Sequence, residues 1–252
     1  MSVEIAEQGS GRVITWDRPD RLNAWDLATM TAIADAIEAC GADQAVRCVV
    51  VRGGRGDFSA GDDLFSALEA DKESWAATIE GFQRLTRVVL AAPVPVIAAL
   101  DGAVIGGALE FSAGCDVRIG TPRLRLMTPE VTIGFVMSNA GTLFLPSVLG
   151  ESAARELLLT GAMRDTAWAV ENRFVSEVAE DLDEAVERWC RAFDGTSREA
   201  VARTKAMLNA RFGPMLEAAM EREARECVDL FDHPDSRAAL EGFAARSERR
   251  SG

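Results

Sequence analysis

Apolar residues in the first half of the chain recur with two periods. Arg12 to Trp16 and Val46 to Arg52 read as strands, the second containing the run Val49-Val50-Val51. Between them Leu27, Met30, Ile33, Ile37 and Cys40 recur at helical spacing, and Asp26 is placed to cap that helix. Gly53, Gly54 and Gly56 then open a loop. A second helix carries Ile79, Phe82, Leu85 and Val89 and stops before Pro93. Pro95 to Leu100 is a short apolar strand, followed by a helical stretch from about Gly106 to Ala113 and by strands at Asp116 to Ile119 and Leu124 to Met127. Strand, helix and strand at such short intervals predict an α/β core with crossover connections.

Beyond about Ala179 the pattern turns helical. Asp181-x-x-Glu184 and Thr196-x-x-Glu199 both read as capping boxes. Leu216, Met220, Cys227 and Leu230 fall on one helix face, and Ala239, Leu240 and Phe243 on another. Such a tail packs either on its own core or on a neighbouring subunit. No exact repeat and no linker rich in Pro, Gly or Ser interrupts the chain, so residues 1–252 read as one domain, with an α/β core over 1–194 and a helical region over 195–252.

Composition narrows the function. The formal net charge of -13 disfavours a nucleic-acid partner, which needs a dominant positive face. The longest apolar run, Val88 to Leu100, is broken by Pro93 and Pro95 and is too short to span a bilayer. MSVEIAEQGSG shows no basic region followed by an apolar stretch, so a cytoplasmic protein without a membrane partner is expected. The five cysteines, Cys40, Cys48, Cys115, Cys190 and Cys227, have no C-x-x-C spacing and read as buried free thiols. The single histidine, His233, leaves no material for a His-based triad or a multi-His metal site and reads as a loop residue.

Three segments carry candidate chemistry: Phe58-Ser59-Ala60-Gly61-Asp62-Asp63-Leu64, Asp101 to Glu110 with the pair Gly106-Gly107, and Thr128-Pro129-Glu130. Small residues let a ligand approach the backbone, and a Gly107 near a helix start would offer an orphan N–H where the helix dipole favours negative charge. Two such donors on one oxygen form an oxyanion hole, contributing ~3–4 kcal/mol per donor to a transition state. Taken singly, each glycine pair reads first as a turn. Glu110 lies among apolar and small neighbours and Glu130 precedes an apolar stretch, both unusual places for a charge.

In combination these segments resemble the crotonase (enoyl-CoA hydratase/isomerase) family. FSAGDDL resembles the family's F-[AS]-A-G-x-D, DGAVIGGALEFSAGCDVRI its glycine-rich second segment, and TPEVTIGF its P-E-x-x-x-G segment. RPDRLNAW at Arg18 to Trp25 resembles the family's opening, and DSRAALEGFAAR at Asp235 to Arg246 is a looser match to its C-terminal segment. The resemblance implies a spiral of β-β-α units followed by helices that build a homotrimer, often doubled to a hexamer. It implies an acyl-CoA thioester substrate and no cofactor, coenzyme A being part of the substrate. Carried over, Ala60 and Gly107 would supply the oxyanion N–H groups. Glu110 would activate a water and Glu130 would handle the proton at Cα, giving an enoyl-CoA hydratase, a lyase. Arg21, Leu22, Ala24, Gly61, Asp62, Asp63, Leu64, Gly106 and Ser138 fall at substrate-binding positions.

Alternatives stand beside this reading: an isomerase in which one glutamate moves a proton between carbons, another acyl-CoA enzyme of the family, or a non-catalytic acyl-CoA binder. Arg18, Arg21, Arg52 and Arg55 either form the basic patch that anionic CoA needs or pair with Asp17, Asp20 and Asp57. Leu64, Phe65, Leu68, Trp75 and Phe82 either line the acyl pocket or pack the core. The family's hydratases follow P-E-x-x-x-G with x-x-P-G-A-G-G-T, whereas here Met137 and Ser138 replace the Pro-Gly pair, and Asp62 stands where the family usually has an uncharged residue.

Overall fold

The computed structural model describes residues 2–251. Its strands are β1 (Ser2–Gln8), β2 (Gly11–Asp17), β3 (Cys48–Gly53), β4 (Val96–Leu100), β5 (Ala103–Ile105), β6 (Val117–Gly120), β7 (Arg125–Met127), β8 (Arg164–Asp165) and β9 (Glu177–Val178). The helices are α1 (Leu27–Ala42), α2 (Leu64–Glu69), α3 (Lys72–Ala91), α4 (Gly107–Gly114), α5 (Gly141–Leu149), α6 (Glu151–Thr160), α7 (Thr166–Glu171), α8 (Leu182–Ala192), α9 (Arg198–Ala210), α10 (Gly213–Asp229) and α11 (Pro234–Ser251). No helix among the described residues is long and apolar enough to cross a membrane.

Successive strands divide between two sheets, one ordered β1-β2-β3-β4-β6-β9 and the other β5-β7-β8. The chain leaves β4 in the large sheet, turns at Asp101-Gly102 and enters β5 in the small one; β6 and β7 repeat the step. From β4 to β7 each turn of the chain therefore lays one strand on each sheet, and a spiral results. β2, β3, β4, β6 and β9 pair in parallel, as crossovers through helices require. β1 is an antiparallel edge strand with mostly exposed side chains, so no buried face marks it in the sequence.

The helix predictions hold where a cap and an apolar stripe coincide. Asp26 accepts the Thr29 N–H at 2.8 Å to start α1, and Asp181 accepts the N–H groups of Asp183 and Glu184 to start α8. The box expected at Thr196 is displaced by one residue. Ser197 accepts the Ala200 N–H, while the Thr196 hydroxyl donates back to the Phe193 carbonyl.

One core lies between the sheet and helices α1, α3, α4 and α5. Its centre is an aromatic cluster in which Trp25 meets Trp16 and Phe111 edge-on, with ring centroids 5.3 and 5.4 Å apart. α8 covers the other face of the sheet with Leu182, Ala185, Val186 and Cys190. A third cluster, holding Trp75, Phe135, Cys227, Phe231 and Leu240, joins α3, α10 and α11 into a wall beside the Glu130 loop. The helical tail thus packs on its own core. All five cysteines are buried and free.

The buried Lys205 fastens α9 to that core. Its Nζ donates to the carbonyls of Val89 (2.7 Å) and Val94 (3.1 Å) and pairs with Asp116 Oδ2 at 2.7 Å. Lys205→Met keeps the stem but leaves a carboxylate and two carbonyls without their cation. It is expected to lower the unfolding free energy by about 3 kcal/mol, read by urea denaturation; a loss below about 1 kcal/mol would show the pair to be dispensable.

Candidate functional site

The first two motif segments and the opening motif are joined by short bridges. Ser59 pairs in parallel with Val104, giving Ser59 N–H to Ala103 O (2.9 Å) and Ile105 N–H to Ser59 O (3.0 Å). Trp25 pairs in parallel with Asp62, giving Trp25 N–H to Gly61 O (2.7 Å) and Asp63 N–H to Trp25 O (3.0 Å). The glycines permit this approach. A Cβ on Gly61 (φ +84°) would lie 2.5 Å from the Ile105 carbonyl, and one on Gly107 would lie 2.4 Å from the Phe82 ring.

The same bridges decide which N–H groups remain available. The Ala60 N–H donates to the Leu22 carbonyl at 2.9 Å, so the expectation that it serves an oxyanion is replaced. The Gly61 N–H is taken by the Ser59 hydroxyl and the Asp63 N–H by Trp25. In a parallel bridge the central residue of the partner strand directs its own N–H away, and here that residue is Asp62. Across from it, Gly107 is the first residue of α4, whose N–H has no intrahelical acceptor. Asp62 and Gly107 therefore present the free donors of the two segments.

Both residues line a cavity of about 70 Å³. Ala60, Leu64, Gly106, Glu130 and Ser138 line it too, with Trp75, Phe82, Ile133 and Phe135 among the apolar walls and Cys227 contributed by α10. Leu64, Trp75 and Phe82 thus line this cavity, and Phe82 and Trp75 also belong to the buried apolar clusters. Gly106 caps α4 with φ +56°, and a Cβ there would sit 2.9 Å from Glu130 Oε1. The Glu130 carboxyl hence lies directly over the start of α4. Its Oε2 is buried without a hydrogen-bond partner, and burial pushes its pKa up to about 8 from an ordinary 4.5.

Glu110 stands elsewhere. It is fully buried and is not among the residues lining the cavity. One of its oxygens accepts the N–H groups of Asn139 (3.0 Å) and Gly141 (2.9 Å), and the other makes a long contact with the Ser138 N–H at 3.5 Å. Glu223 on α10 completes the arrangement by accepting from the N–H groups of Ala140 (2.6 Å) and Thr142 (2.9 Å) and from the Thr142 hydroxyl. The two carboxyls together hold the turn at the start of α5, where Ala140 takes φ +61° and the helix has no side-chain cap of its own. Burial raises the pKa of Glu110, and the charges of Glu223 and Glu130 add to it against the backbone donors. The sequence reading missed Glu223. Its signal was a carboxylate on the stripe that also holds Met220 and Cys227.

The remaining expected residues surround the cavity without lining it. Asn23, buried in the opening motif, donates to the carbonyls of Gly54 and Asp57 and accepts the Arg18 N–H, which fixes the Arg21-Leu22 turn. The Ala24 carbonyl accepts from Arg18. Asp63 pairs with Arg18 at 2.9 Å and caps α2, so its carboxylate is structural. Arg18 also meets Asp26, Arg52 meets Asp183 and Arg55 meets Asp17, so three of the four arginines are ion-paired. Arg21 differs: it is exposed and lies 4.0 Å from the Phe65 ring centroid, leaving its guanidinium edge open to an anion. Among the described residues no group of three or more His, Cys, Asp or Glu side chains is placed to hold a metal ion.

The protonated Glu130 has a consequence for stability. Its folded pKa of about 8 exceeds the unfolded value near 4.5, so this group's contribution is full below about pH 4.5 and is lost as pH rises through about 8. Wild type is expected to lose melting temperature across that window relative to Glu130→Gln, which cannot titrate. Parallel curves for the two proteins would overturn the assignment.

Known proteins resemble this chain in sequence and in fold. The family model described as enoyl-CoA hydratase/isomerase matches residues 7–251. A crotonyl-CoA hydratase of Syntrophomonas wolfei is 31% identical over 94% of this chain and 92% of its own, and a probable enoyl-CoA hydratase of Bacillus subtilis is 28% identical over 96% and 95%. Among solved structures, an enoyl-CoA hydratase/isomerase from Xanthobacter autotrophicus superposes with a TM-score of 0.88 at 29% identity, covering 99% of this chain and 94% of that one. An enoyl-CoA hydratase from Bacillus halodurans reaches 0.89 at 23% identity, covering 95% and 99%, a likeness of fold. With its motifs, its two-sheet spiral and a family match over nearly its whole length, the chain belongs to the enoyl-CoA hydratase/isomerase, or crotonase, family.

Proposed function

We propose that this enzyme binds the thioester of an enoyl-CoA against the N–H groups of Asp62 and Gly107 and transfers a proton at the adjacent carbon through Glu130, hydrating the conjugated double bond. The observation that carries the reading is the Glu130 carboxyl, with an unpartnered buried oxygen, placed over the first turn of α4. Charge that develops on the thioester oxygen meets two backbone donors and the positive end of a helix. A carboxyl raised to about 8 exchanges a proton readily near neutral pH, in either direction. The attacking water would be held between Glu130 and the Ser138 end of the loop that Glu110 anchors. Arg21 supplies the exposed cation for a CoA phosphate. Exposed Met207, Leu208 and Met215 on α9 and α10 suit burial in a homotrimer or hexamer.

A specific observation favours isomerisation as the second reading: Glu110 is committed to backbone donors, leaving Glu130 as the one of the two motif glutamates in the cavity wall. A proton shuttle between two carbons needs only one such group. Absorbance of the conjugated enoyl thioester separates the two. Hydration consumes the chromophore of a trans-2-enoyl-CoA, and isomerisation creates it from a 3-enoyl-CoA. Loss of the chromophore with short trans-2-enoyl thioesters supports hydration; gain from the 3-enoyl isomers alone replaces it. Inertness toward both, with CoA thioesters still bound, overturns the catalytic reading.

A further inference from the structure

Ser138 is held firmly by its backbone and left open at its side chain. The Gln83 amide donates to the Ser138 carbonyl at 2.9 Å and to the Met220 carbonyl at 2.8 Å, tying the residue to α3 and α10. The next residue is fixed as well: Asn139 gives its N–H to Glu110 at 3.0 Å and accepts the Thr86 hydroxyl at 2.5 Å. The Ser138 hydroxyl, by contrast, makes no hydrogen bond to any described residue, although Ser138 lines the cavity. Unlike Glu130 Oε2, this oxygen is not sealed from solvent, and Ser138 as a whole keeps 8% of its surface accessible.

The chemistry of the wall narrows the task of that hydroxyl. Of the side chains around the cavity only Asp62, Glu130 and Ser138 carry oxygen, and Asp62 belongs to the segment proposed for the thioester oxygen. Glu130 and Ser138 remain for the carbon end. Hydration needs a water that meets a base and is also held in one orientation, whereas proton transfer between two carbons needs the base alone. Glu110 is committed to the loop N–H groups and lies off the cavity. A cavity of about 70 Å³ exceeds the roughly 10–15 Å³ that one water requires. A hydroxyl both accepts and donates, so it can orient such a water without adding a charge. The family resemblance puts glycine at this position, so the hydroxyl is a feature of this chain.

We infer that Ser138 is the water-positioning residue of the proposed hydration, its Oγ accepting one O–H of the attacking water while Glu130 accepts the other. A lone pair of the water oxygen then faces Cβ. The C–O bond forms there as one water proton passes to the Glu130 carboxylate and the π electrons move onto the thioester oxygen as an enolate. Glu130 then delivers a proton to Cα and the enolate collapses, so that one water is added across the double bond. Ser138 neither gains nor loses a proton. The inference rests on the hydration reading above and adds to it the group that takes the place of Glu110 at the water.

Two reactions of the same protein separate this role from a structural one. Hydration of trans-2-butenoyl-CoA, followed by loss of enoyl absorbance, needs the positioned water. Exchange of a Cα hydrogen of butyryl-CoA in D2O, followed by mass spectrometry, needs only Glu130 and the oxyanion donors. Ser138→Ala is expected to lower the hydration kcat about tenfold or more, as loss of one hydrogen bond at the water implies. Its Cα exchange, KM and melting temperature should stay at wild-type values, because the hydroxyl bonds to no described residue. Ser138→Gly should behave alike, and Ser138→Thr, which keeps the hydroxyl, should restore most of the ratio of hydration to exchange. An unchanged ratio in Ser138→Ala, or hydration and exchange falling together, would overturn the inference. The reading beneath it fails differently. If wild type exchanges the Cα hydrogen but hydrates no trans-2-enoyl-CoA, hydration itself fails and the task of Ser138 goes with it. If wild type hydrates and the Ser138 variants keep its ratio, only the role of Ser138 fails. Neither reaction in wild type would remove both.

Discussion

Glu130→Gln is expected to reduce kcat on an enoyl-CoA by about 10²–10⁴-fold, the usual contribution of a positioned general acid–base, with CoA thioester binding nearly unchanged. The amide keeps the shape over Gly106 but has no proton to exchange in the working range. The loss should fall on kcat rather than KM, because the thioester oxygen would still be held by the proposed donors of Asp62 and Gly107, which are backbone N–H groups. The variant should fold normally, since Glu130 Oε2 accepts no bond in the wild type. Steady-state kinetics beside a CoA-binding titration reads both. A variant within about threefold of wild-type kcat would remove Glu130 from the chemistry and turn attention to the non-catalytic alternative.

Glu110→Ala is expected to act first on stability. It strips the acceptor from the N–H groups of Asn139 and Gly141, and weakens the hold on Ser138. A buried donor left unsatisfied costs about 1–3 kcal/mol, so a loss on the order of 3 kcal/mol or more is anticipated in denaturant unfolding. Removing this carboxylate also leaves Glu223 to hold the turn alone, and Ser138, which lines the cavity, loses its support. Turnover should therefore fall together with stability. Glu110→Gln offers an oxygen but brings an NH2 group toward several N–H donors, and should be intermediate in both. If Glu110→Gln is as stable as wild type while kcat collapses, Glu110 activates the water directly, as the family resemblance had implied. The loop Met137-Ser138-Asn139 would then be a passive element.

This contrast shows where sequence and tertiary structure divide. Strands β2 to β4, helices α1, α3 and α4 and the family itself follow from features local along the chain: Val49-Val50-Val51, the Asp26 cap, the stop before Pro93 and the three motif segments at their spacing. Periodicity and capping act over a few residues, so they are written in the order of residues. β1 escaped because its side chains are largely exposed and leave no apolar signature.

The identity of the oxyanion donor could not be read the same way. Ala60 and Asp62 are two residues apart in one loop, and which N–H is free depends on Leu22 and Trp25, brought alongside from an earlier segment. The role of Glu110 likewise depends on a turn that begins α5, and Glu223 enters from α10, far along the chain. The ion pairs of Arg18, Arg52 and Arg55, which leave Arg21 exposed, were set in the same way by acids at 63, 183 and 17. The sequence by itself therefore determined the fold class, the family and most of the residues gathered near the site, Glu223 being the exception. Only the tertiary structure decided what each does, because a backbone N–H or a carboxylate has few bonds to give, and long-range packing determines which partner takes them.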